Sequence, residues 1–363
     1  MKIFAIGSSI TSAYWNGAAT YYQGIYKALH RLGYEITFAE PDIYGRQQHR
    51  EAIAQDFVRV EVYRSLSELQ RLLRCTADVD LVIKHSGVGE ADGYLEELVL
   101  DYKSANTRVA FWDVDAPATL QRVEENAGDP FRKLVPQYDL IFTYGGGAPV
   151  VEHYARLGAQ ECHAVYNAVD PETHFPVAPR EQFQCDLAFV GNRLPDREQR
   201  VEEFFIRSAH LAPEMQFLLG GEGWGSKSLP PNLRWVGHVK IEDHNVINCS
   251  ARMVLNVNRA SMAHIGFSPP TRMFEAAGAG ACVITDSWPG IESFFEPQSE
   301  VLIAESAEQV VMFLRAINRG QAAGIGEKMR ARALGDHTYS QRAAQVHQVL
   351  RSRQAVAEVT VAR

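Results

Sequence analysis

The chain has 363 residues, 46% hydrophobic and 22% charged, with a formal net charge of −8. This is the composition of a soluble globular protein long enough for two domains, and its acidity argues against a nucleic-acid backbone or an anionic membrane as the main partner. No apolar run approaches the ~18 residues a membrane helix needs, and the opening MKIFAIGSS reads as a strand rather than a secretory leader. Five cysteines without paired spacing (Cys75, Cys162, Cys185, Cys249, Cys282) fit reduced thiols of a cytoplasmic protein, not zinc or a disulfide framework.

Residues 2–6 predict a strand running into Gly7-Ser8-Ser9. A loop through Trp15-Asn16-Gly17 follows, then a helix at 21–32 closed by Gly33 and a second strand at 35–39. This is a βαβ unit, and the switch between strand and helix period repeats downstream. Further strands are expected at 58–62, 81–84, 108–112, 140–144 and 161–165, with helices at 66–74, 95–102, 119–125 and 150–157. Residues 167–184 break the pattern with Pro171, Pro176 and Pro179 and read as an interdomain crossing. A second series supplies strands at 187–190, 216–219, 233–236, 253–257, 282–285 and 301–303. Its helices are expected at 197–209, 243–249, around Glu275 and at 307–317. Helices at 325–334 and 339–351 and a polar tail complete the chain. The prediction is α/β, with two tandem Rossmann-like domains, 1–170 and 171–337, facing a cleft. A nucleotide would bind the second and an acceptor the first, each beyond the carboxyl ends of the strands.

The densest stretch is 266–286, GFSPPTRMFEAAGAGACVITD. Pro269 and Pro270 suit a helix entrance, Gly278 and Gly280 its exit, and 281–285 a buried strand. The helix start offers free N–H groups that, with Ser268, Pro269, Thr271 and Arg272, suit a diphosphate, and Glu275, one turn inside, suits ribose hydroxyls. The alternative is a capped surface helix. Gly191-Asn192-Arg193 forms a glycine turn after a strand, where a phosphate can approach, with Arg197 expected at the solvent face. The loop 220–225 is glycine-dense. His238 and its backbone suit a base edge, and Asn258 and Arg259 end the strand that feeds the central loop. No GxGxxG fingerprint is present.

In the first domain three strand ends carry chemistry: 8–17 with Asn16 and Gly17; 84–87, where His85 suits a general base; and Asp113-Val114-Asp115. The two aspartates suit a divalent metal with a diphosphate, or else Asp115 caps the following helix while Asp113 acts as base. Gly145-Gly146 suits a phosphate or sugar contact, or simply a turn into a helix. Serine-hydrolase, kinase-loop and zinc-protease signatures are absent.

With those residues in view, the chain resembles the GT-B glycosyltransferases, specifically the bacterial CgeB-type (spore-maturation-protein-like) branch. The runs that carry the resemblance are NGAATYYQGIYKALHRLGYEITFAEPD, FWDVDAPATL, LAFVGNRLPDRE, LNVNR, the 266–286 stretch and its continuation WPGIESFFEP. It implies a soluble hexosyltransferase that takes a nucleotide-sugar co-substrate (UDP-, GDP- or TDP-linked) and a hydroxyl acceptor on a polysaccharide, glycoside or protein, with no bound metal or other cofactor. It also implies Glu275 on the ribose, loop 267–271 with Gly191 and Asn192 near the diphosphate, and the surroundings of His238 facing the base. A C-terminal helix, 338–352, is implied to return to the first domain. One departure stands out. Many retaining members carry a Glu eight positions before the ribose Glu, and here that residue is Phe267. An inverting enzyme would need a base on the first domain, Asp113 or then His85; a retaining one would lean on cations such as Arg193 and Arg259. A nucleotide-sugar 2-epimerase and a non-catalytic sugar-nucleotide-binding protein are the alternatives on the same fold.

Overall fold

The computed structural model describes residues 1–13, 16–50, 56–74 and 78–361, with side chains described as far as Ser352. Trp15 and Cys75 lie outside the described residues. The chain divides into two compact units, Met1–Asn167 together with the chain from Tyr339 onward, and Ala168–Thr338.

The first unit is built on a parallel sheet of β1 (Lys2–Ile6), β2 (Glu35–Pro41), β3 (Arg59–Tyr63), β4 (Leu81–His85), β5 (Arg108–Asp113), β6 (Leu140–Thr143) and β7 (Cys162–Ala164). The strand order is β3-β2-β1-β4-β5-β6-β7, with Ile3 in register with both Ile36 and Leu81. The crossovers carry α1 (Ala19–Arg31), α2 (Leu66–Arg74), α3 (Asp92–Leu98), α4 (Ala116–Glu125), α5 (Phe131–Leu134) and α6 (Gly147–Arg156). A parallel sheet with helices on both faces demands strands that are apolar throughout, and Phe4, Ala5, Ile6, Phe111 and Trp112 are all essentially fully buried.

The second unit repeats the plan with β8 (Cys185–Val190), β9 (Phe217–Gly220), β10 (Leu233–Trp235), β11 (Ala251–Asn256), β12 (Val283–Asp286) and β13 (Leu302–Ala304), in the order β10-β9-β8-β11-β12-β13. Its helices are α7 (Pro195–Val201), α8 (Arg207–Leu211), α9 (Ile241–Ser250), α10 (Ala260–Ile265), α11 (Thr271–Gly278), α12 (Ala307–Ala316) and α13 (Arg319–Asp336). In both sheets the strand order reverses beside the first strand, at β1/β4 and at β8/β11, and such a switch point opens a crevice at the carboxyl ends. The second unit begins and ends at one place: Val169 pairs with Thr338, and the Val169 N–H donates to the His337 carbonyl at 2.8 Å. The chain then joins the first unit as α14 (Tyr339–Val361), which packs along α1. Gly24 makes that approach possible, since a Cβ there would lie 2.2 Å from the Tyr339 ring.

Several elements depart from the sequence pattern. The helix expected at 95–102 starts earlier, at Asp92, and tightens into a 3₁₀ turn over Val99–Tyr102. The helix expected at 197–209 is α7 and α8 joined by a π-turn, Glu202–Ile206. α13 begins six residues before the expected 325, because Asn318 and Gln321 form a reciprocal capping box. α5 and α10 were not expected, and α14 runs on through the segment read as a polar tail. No helix among the described residues is long and apolar enough to cross a membrane. The four described cysteines are free.

Candidate functional site

In the second unit, the carboxyl ends of β8, β11 and β12 are tied together by side chains. The Arg272 guanidinium, on the first turn of α11, donates through Nε to the Val190 carbonyl (2.7 Å) and through Nη1 to Asn256 Oδ1 (3.1 Å). Asn256 Nδ2 in turn donates to Thr285 Oγ1 (3.0 Å) and Asn258 Oδ1 (3.3 Å). Buried Asp286 accepts from the Asn258 N–H and from Arg200 Nη2 (2.6 Å). Asn258 Nδ2 points to the Ser268 carbonyl, and Ser268 Oγ donates to the Gly266 carbonyl (2.9 Å). Arg272, Asn258 and Ser268, singled out in the sequence, are thus brought together at the switch point. Asn256 and Asp286, which hold them, were not.

Arg197 is the main correction. Expected at the solvent face, it is only 8% exposed. Its guanidinium lies 5.6 Å from the Phe189 ring centre, and that of Arg272 lies 5.3 Å from the same ring. Gly191 lies between them, where a Cβ would meet Arg197 Nη2 at 2.9 Å and Arg272 Nη2 at 3.2 Å. Neither arginine has a carboxylate within ion-pair distance among the described residues, and Arg197 Nε has no hydrogen-bond partner there. Burial, reinforced for Arg197 by the like charge of Arg272, pushes both groups down, Arg197 to about 9. Two cations held side by side in a poorly solvated place raise each other's energy unless an anion joins them. Helical spacing contained the signal: Arg197, Val201 and Phe205 fall four apart and share the buried face.

Other predicted donor residues are differently engaged. Arg193 forms a bidentate pair with Glu198 (2.7 and 2.8 Å) and reaches Ser226 Oγ. Arg259 pairs with Asp196. Asn192 stays at the turn, accepting from the Glu222 N–H at Oδ1 (3.0 Å) while its carbonyl accepts from Arg197. Gly221, φ +116°, packs on this turn; a Cβ would lie 2.4 Å from the Gly191 carbonyl oxygen. His238 is exposed, beyond Gly237, whose carbonyl accepts from the Gly221 N–H at 2.7 Å. Pro269 is buried and Thr271 half-buried at the start of α11.

Glu275 lies one turn into α11 and is 9% exposed. Burial pushes its carboxyl up, but the His244 and His174 rings and the Arg272 guanidinium outweigh burial and hold it at about 2. His244 Nδ1 lies 3.9 Å from Glu275 Oε2, longer than a normal hydrogen bond. Glu275 is therefore an ionised acceptor, suited to hydroxyl donors. Gly278 lets the 169–174 segment press against the helix, since a Cβ there would meet the His174 carbonyl at 2.7 Å.

The first unit treats its predicted residues as framework. His85 is wholly buried, its Nε2 2.6 Å from the Tyr26 hydroxyl, its ring among Tyr22, Phe38 and Trp112. Burial and the Lys84 charge push it well below the usual imidazole range, so it is a neutral core residue without access to a substrate proton. Asp113 is equally buried and accepts from Ser86 Oγ (2.7 Å), the Asp115 N–H (3.0 Å), Thr119 Oγ1 (3.0 Å) and the Tyr154 hydroxyl (2.5 Å). Three of these donors fall on Oδ1 and Tyr154 alone on Oδ2, so Asp113 is held as a buried acceptor. Asp115 stands at the start of α4 but caps it through its carbonyl, not its side chain. Asn16 clamps the first loop, donating to the Ser9 and Ser12 carbonyls, and exposed Gly17 follows. Gly145 folds onto Thr143, and Gly146, φ +84°, turns the chain into α6 where a Cβ would overlap Val150.

Residues 197–348 match the model of a family described as glycosyl transferase-like. No curated protein matches the chain by sequence. Among solved structures, HepE of Anabaena in complex with UDP and glucose superposes with a TM-score of 0.73 at 12% identity, over 97% of this chain and all of that one. Sucrose-phosphate synthase from Thermosynechococcus elongatus gives 0.68 at 15% identity, over 98% of this chain and all of that one. AviGT4, a glycosyltransferase involved in avilamycin A biosynthesis, gives 0.62 at 17%, over 98% of each. The chain thus has the fold of the GT-B glycosyltransferases, and its residues 197–348 are similar to a glycosyl transferase-like family.

Proposed function

We propose that this glycosyltransferase draws a hexose from a UDP-linked donor held by its second unit and passes it to a hydroxyl acceptor received by its first. The observation that carries the donor site is the pair Arg197 and Arg272, stacked on Phe189 around Gly191 at the β8/β11 switch point with no carboxylate in direct ion-pair contact among the described residues. A nucleoside diphosphate supplies the missing negative charge, and bidentate guanidinium contacts suit its oxygens. Glu275, ionised and one turn along α11, accepts from the ribose hydroxyls. HepE is solved with UDP and glucose, which favours a uridine donor.

The two arginines also suit the chemistry. Charge accumulates on the leaving diphosphate as the glycosidic bond breaks, and preorganised cations stabilise it more in the transition state than in the ground state. That role needs no metal. With Asp113 and His85 buried, the proton of the acceptor hydroxyl passes to an oxygen of the departing diphosphate. The sequence runs around 111–120, 187–198 and 288–297 support the CgeB-type branch as the finer family.

Incubation with UDP-glucose and related donors, followed by NMR of the sugar, tests the proposal. Release of UDP with transfer to added glycoside or water is expected, and is lost in Arg272→Ala. Epimerisation of the donor sugar at C2 without UDP release would instead make the protein an epimerase.

A further inference from the structure

The first unit has its own unbalanced cation. Arg46 follows β2 after two residues with left-handed backbone, Tyr44 (φ +56°) and Gly45 (φ +68°). It is 7% exposed. Its Nη1 donates to the Ser8 carbonyl at 3.1 Å, and its guanidinium lies 5.2 Å from the centre of the Tyr44 ring. Its Nε has no hydrogen-bond partner, and no carboxylate lies within ion-pair distance among the described residues.

Glu40 is the acidic group whose field reaches Arg46, but it is committed elsewhere. Its oxygens accept from Ser9 Oγ (2.9 Å), the Ile10 N–H (2.7 Å), Thr11 Oγ1 (2.5 Å) and Gln47 Nε2 (2.7 Å). Asp92, on the other side of the switch point, is bound by Lys84 and by the Val88 and Gly89 N–H groups. Beside Arg46, the Tyr22 hydroxyl is fully buried, with Ser8 as its polar neighbour but no hydrogen bond of good geometry among the described residues. Ser8 lies two residues beyond β1 and Tyr22 lies on α1, which places both donors near the carboxyl end of the sheet's central strand. The Tyr44 hydroxyl donates across to the Gly89 carbonyl beyond β4 (2.8 Å), so the loop carrying Arg46 is tied to both sides of the β1/β4 switch point.

A buried guanidinium with an idle N–H, next to a buried hydroxyl with an idle O–H, is costly as it stands. A water molecule would satisfy the hydrogen bonds but leave the charge. An oxyanion satisfies both. We propose that Arg46 and Tyr22 form a subsite for an oxyanion on the acceptor, a phosphate monoester or a carboxylate carried by the sugar or glycoside that receives the hexose. The assignment of this ligand as acceptor rests on the transferase reading; the subsite itself does not.

The test separates the two. With UDP at saturation, so that Arg197 and Arg272 are occupied, methyl phosphate, methyl glucuronide and neutral methyl glucoside are titrated calorimetrically into the full-length protein. One of the two anions binds wild type and the neutral sugar does not, and the anion that binds names the source. Arg46→Met weakens it about 10-fold or more, the usual worth of a charged hydrogen bond, and Tyr22→Phe about 3-fold. Tyr22→Phe keeps the ring on Phe38 and His85, so it reports even if Arg46→Met does not fold. Failure of both anions to bind wild type, or equal binding by wild type and Tyr22→Phe, overturns the subsite. If wild type binds no UDP, the donor reading fails instead. The same titration is then read in the Arg197→Met, Arg272→Ala background, where only the first unit's site remains.

Discussion

At the scale of single residues, this protein separates charges that are satisfied from charges that wait. Asp113, Glu40 and Asp286 are buried carboxylates with their donors in place. Arg197 is a buried cation without its anion. Removing a group of the second kind has an unusual signature. Arg197→Met should leave the melting temperature of the ligand-free protein unchanged or raise it, because an uncompensated buried charge is lost. The same change should weaken UDP binding by roughly 10- to 100-fold, since charged hydrogen bonds contribute about 1.5–3 kcal/mol. Calorimetric melting and UDP titration on one sample check both halves.

Glu275 gives a second test at this scale. A carboxyl held at about 2 in the folded protein, against an ordinary value of 4.5, stabilises the fold above pH 4.5 and loses that contribution as pH falls toward 2. Glu275→Gln should therefore flatten the acid side of the stability curve in that window, measured as urea midpoints against pH. Because wild-type Glu275 stays ionised, its protonation should not lower UDP affinity between pH 8 and 5. Glu275→Gln should cost UDP at least 10-fold across that range.

At the scale of elements, close backbone approach decides what a glycine does. Gly326 sits inside α13, where Ala would ordinarily stabilise by up to about 1 kcal/mol. A Cβ there would meet the Gly280 carbonyl oxygen at 2.2 Å, in the turn between α11 and β12. Gly326→Ala should thus reverse the usual sign and lower the melting temperature, by about 1–3 kcal/mol of stability. Such approaches are invisible in a sequence, and they also explain what was and was not legible there. The parallel strands were readable because burial on both faces makes them continuous apolar runs, as in KIFAI or LAFV. α13 was cut short because Gly320 and Gly324 obscured a helix whose start is set by the Asn318 capping box. His85 looked like a base because residue type does not reveal depth; only the folded sheet surrounds it with Tyr22, Tyr26 and Trp112. The loop and helix around Glu275 were legible, as was Arg272. The Asn256–Thr285–Asp286 chain that fixes Arg272 depends on register between β11 and β12, which pairs Asn256 with Thr285.

At the scale of the whole molecule, the second unit is spliced into the first. It enters at Ala168 and leaves at Thr338, with Val169 bonded to His337 at the joint. Domains whose ends meet tolerate excision. The fragment 168–338 should therefore fold alone and keep its UDP response, checked by circular dichroism and titration. A chain ended at Thr338 should lose the first unit's cooperative melting, because α14 covers Tyr21 and Gly24 on α1.

The central claim is that Arg197 and Arg272 await a nucleoside diphosphate, and a thermal-shift titration of UDP, with and without EDTA, tests it most directly. At about a hundred times its dissociation constant, UDP should stabilise wild type by roughly 2.7 kcal/mol, indifferent to EDTA, and the shift should vanish in the Arg197→Met, Arg272→Ala protein. No shift in wild type with UDP, or a shift of the same size in the double variant, would contradict the account.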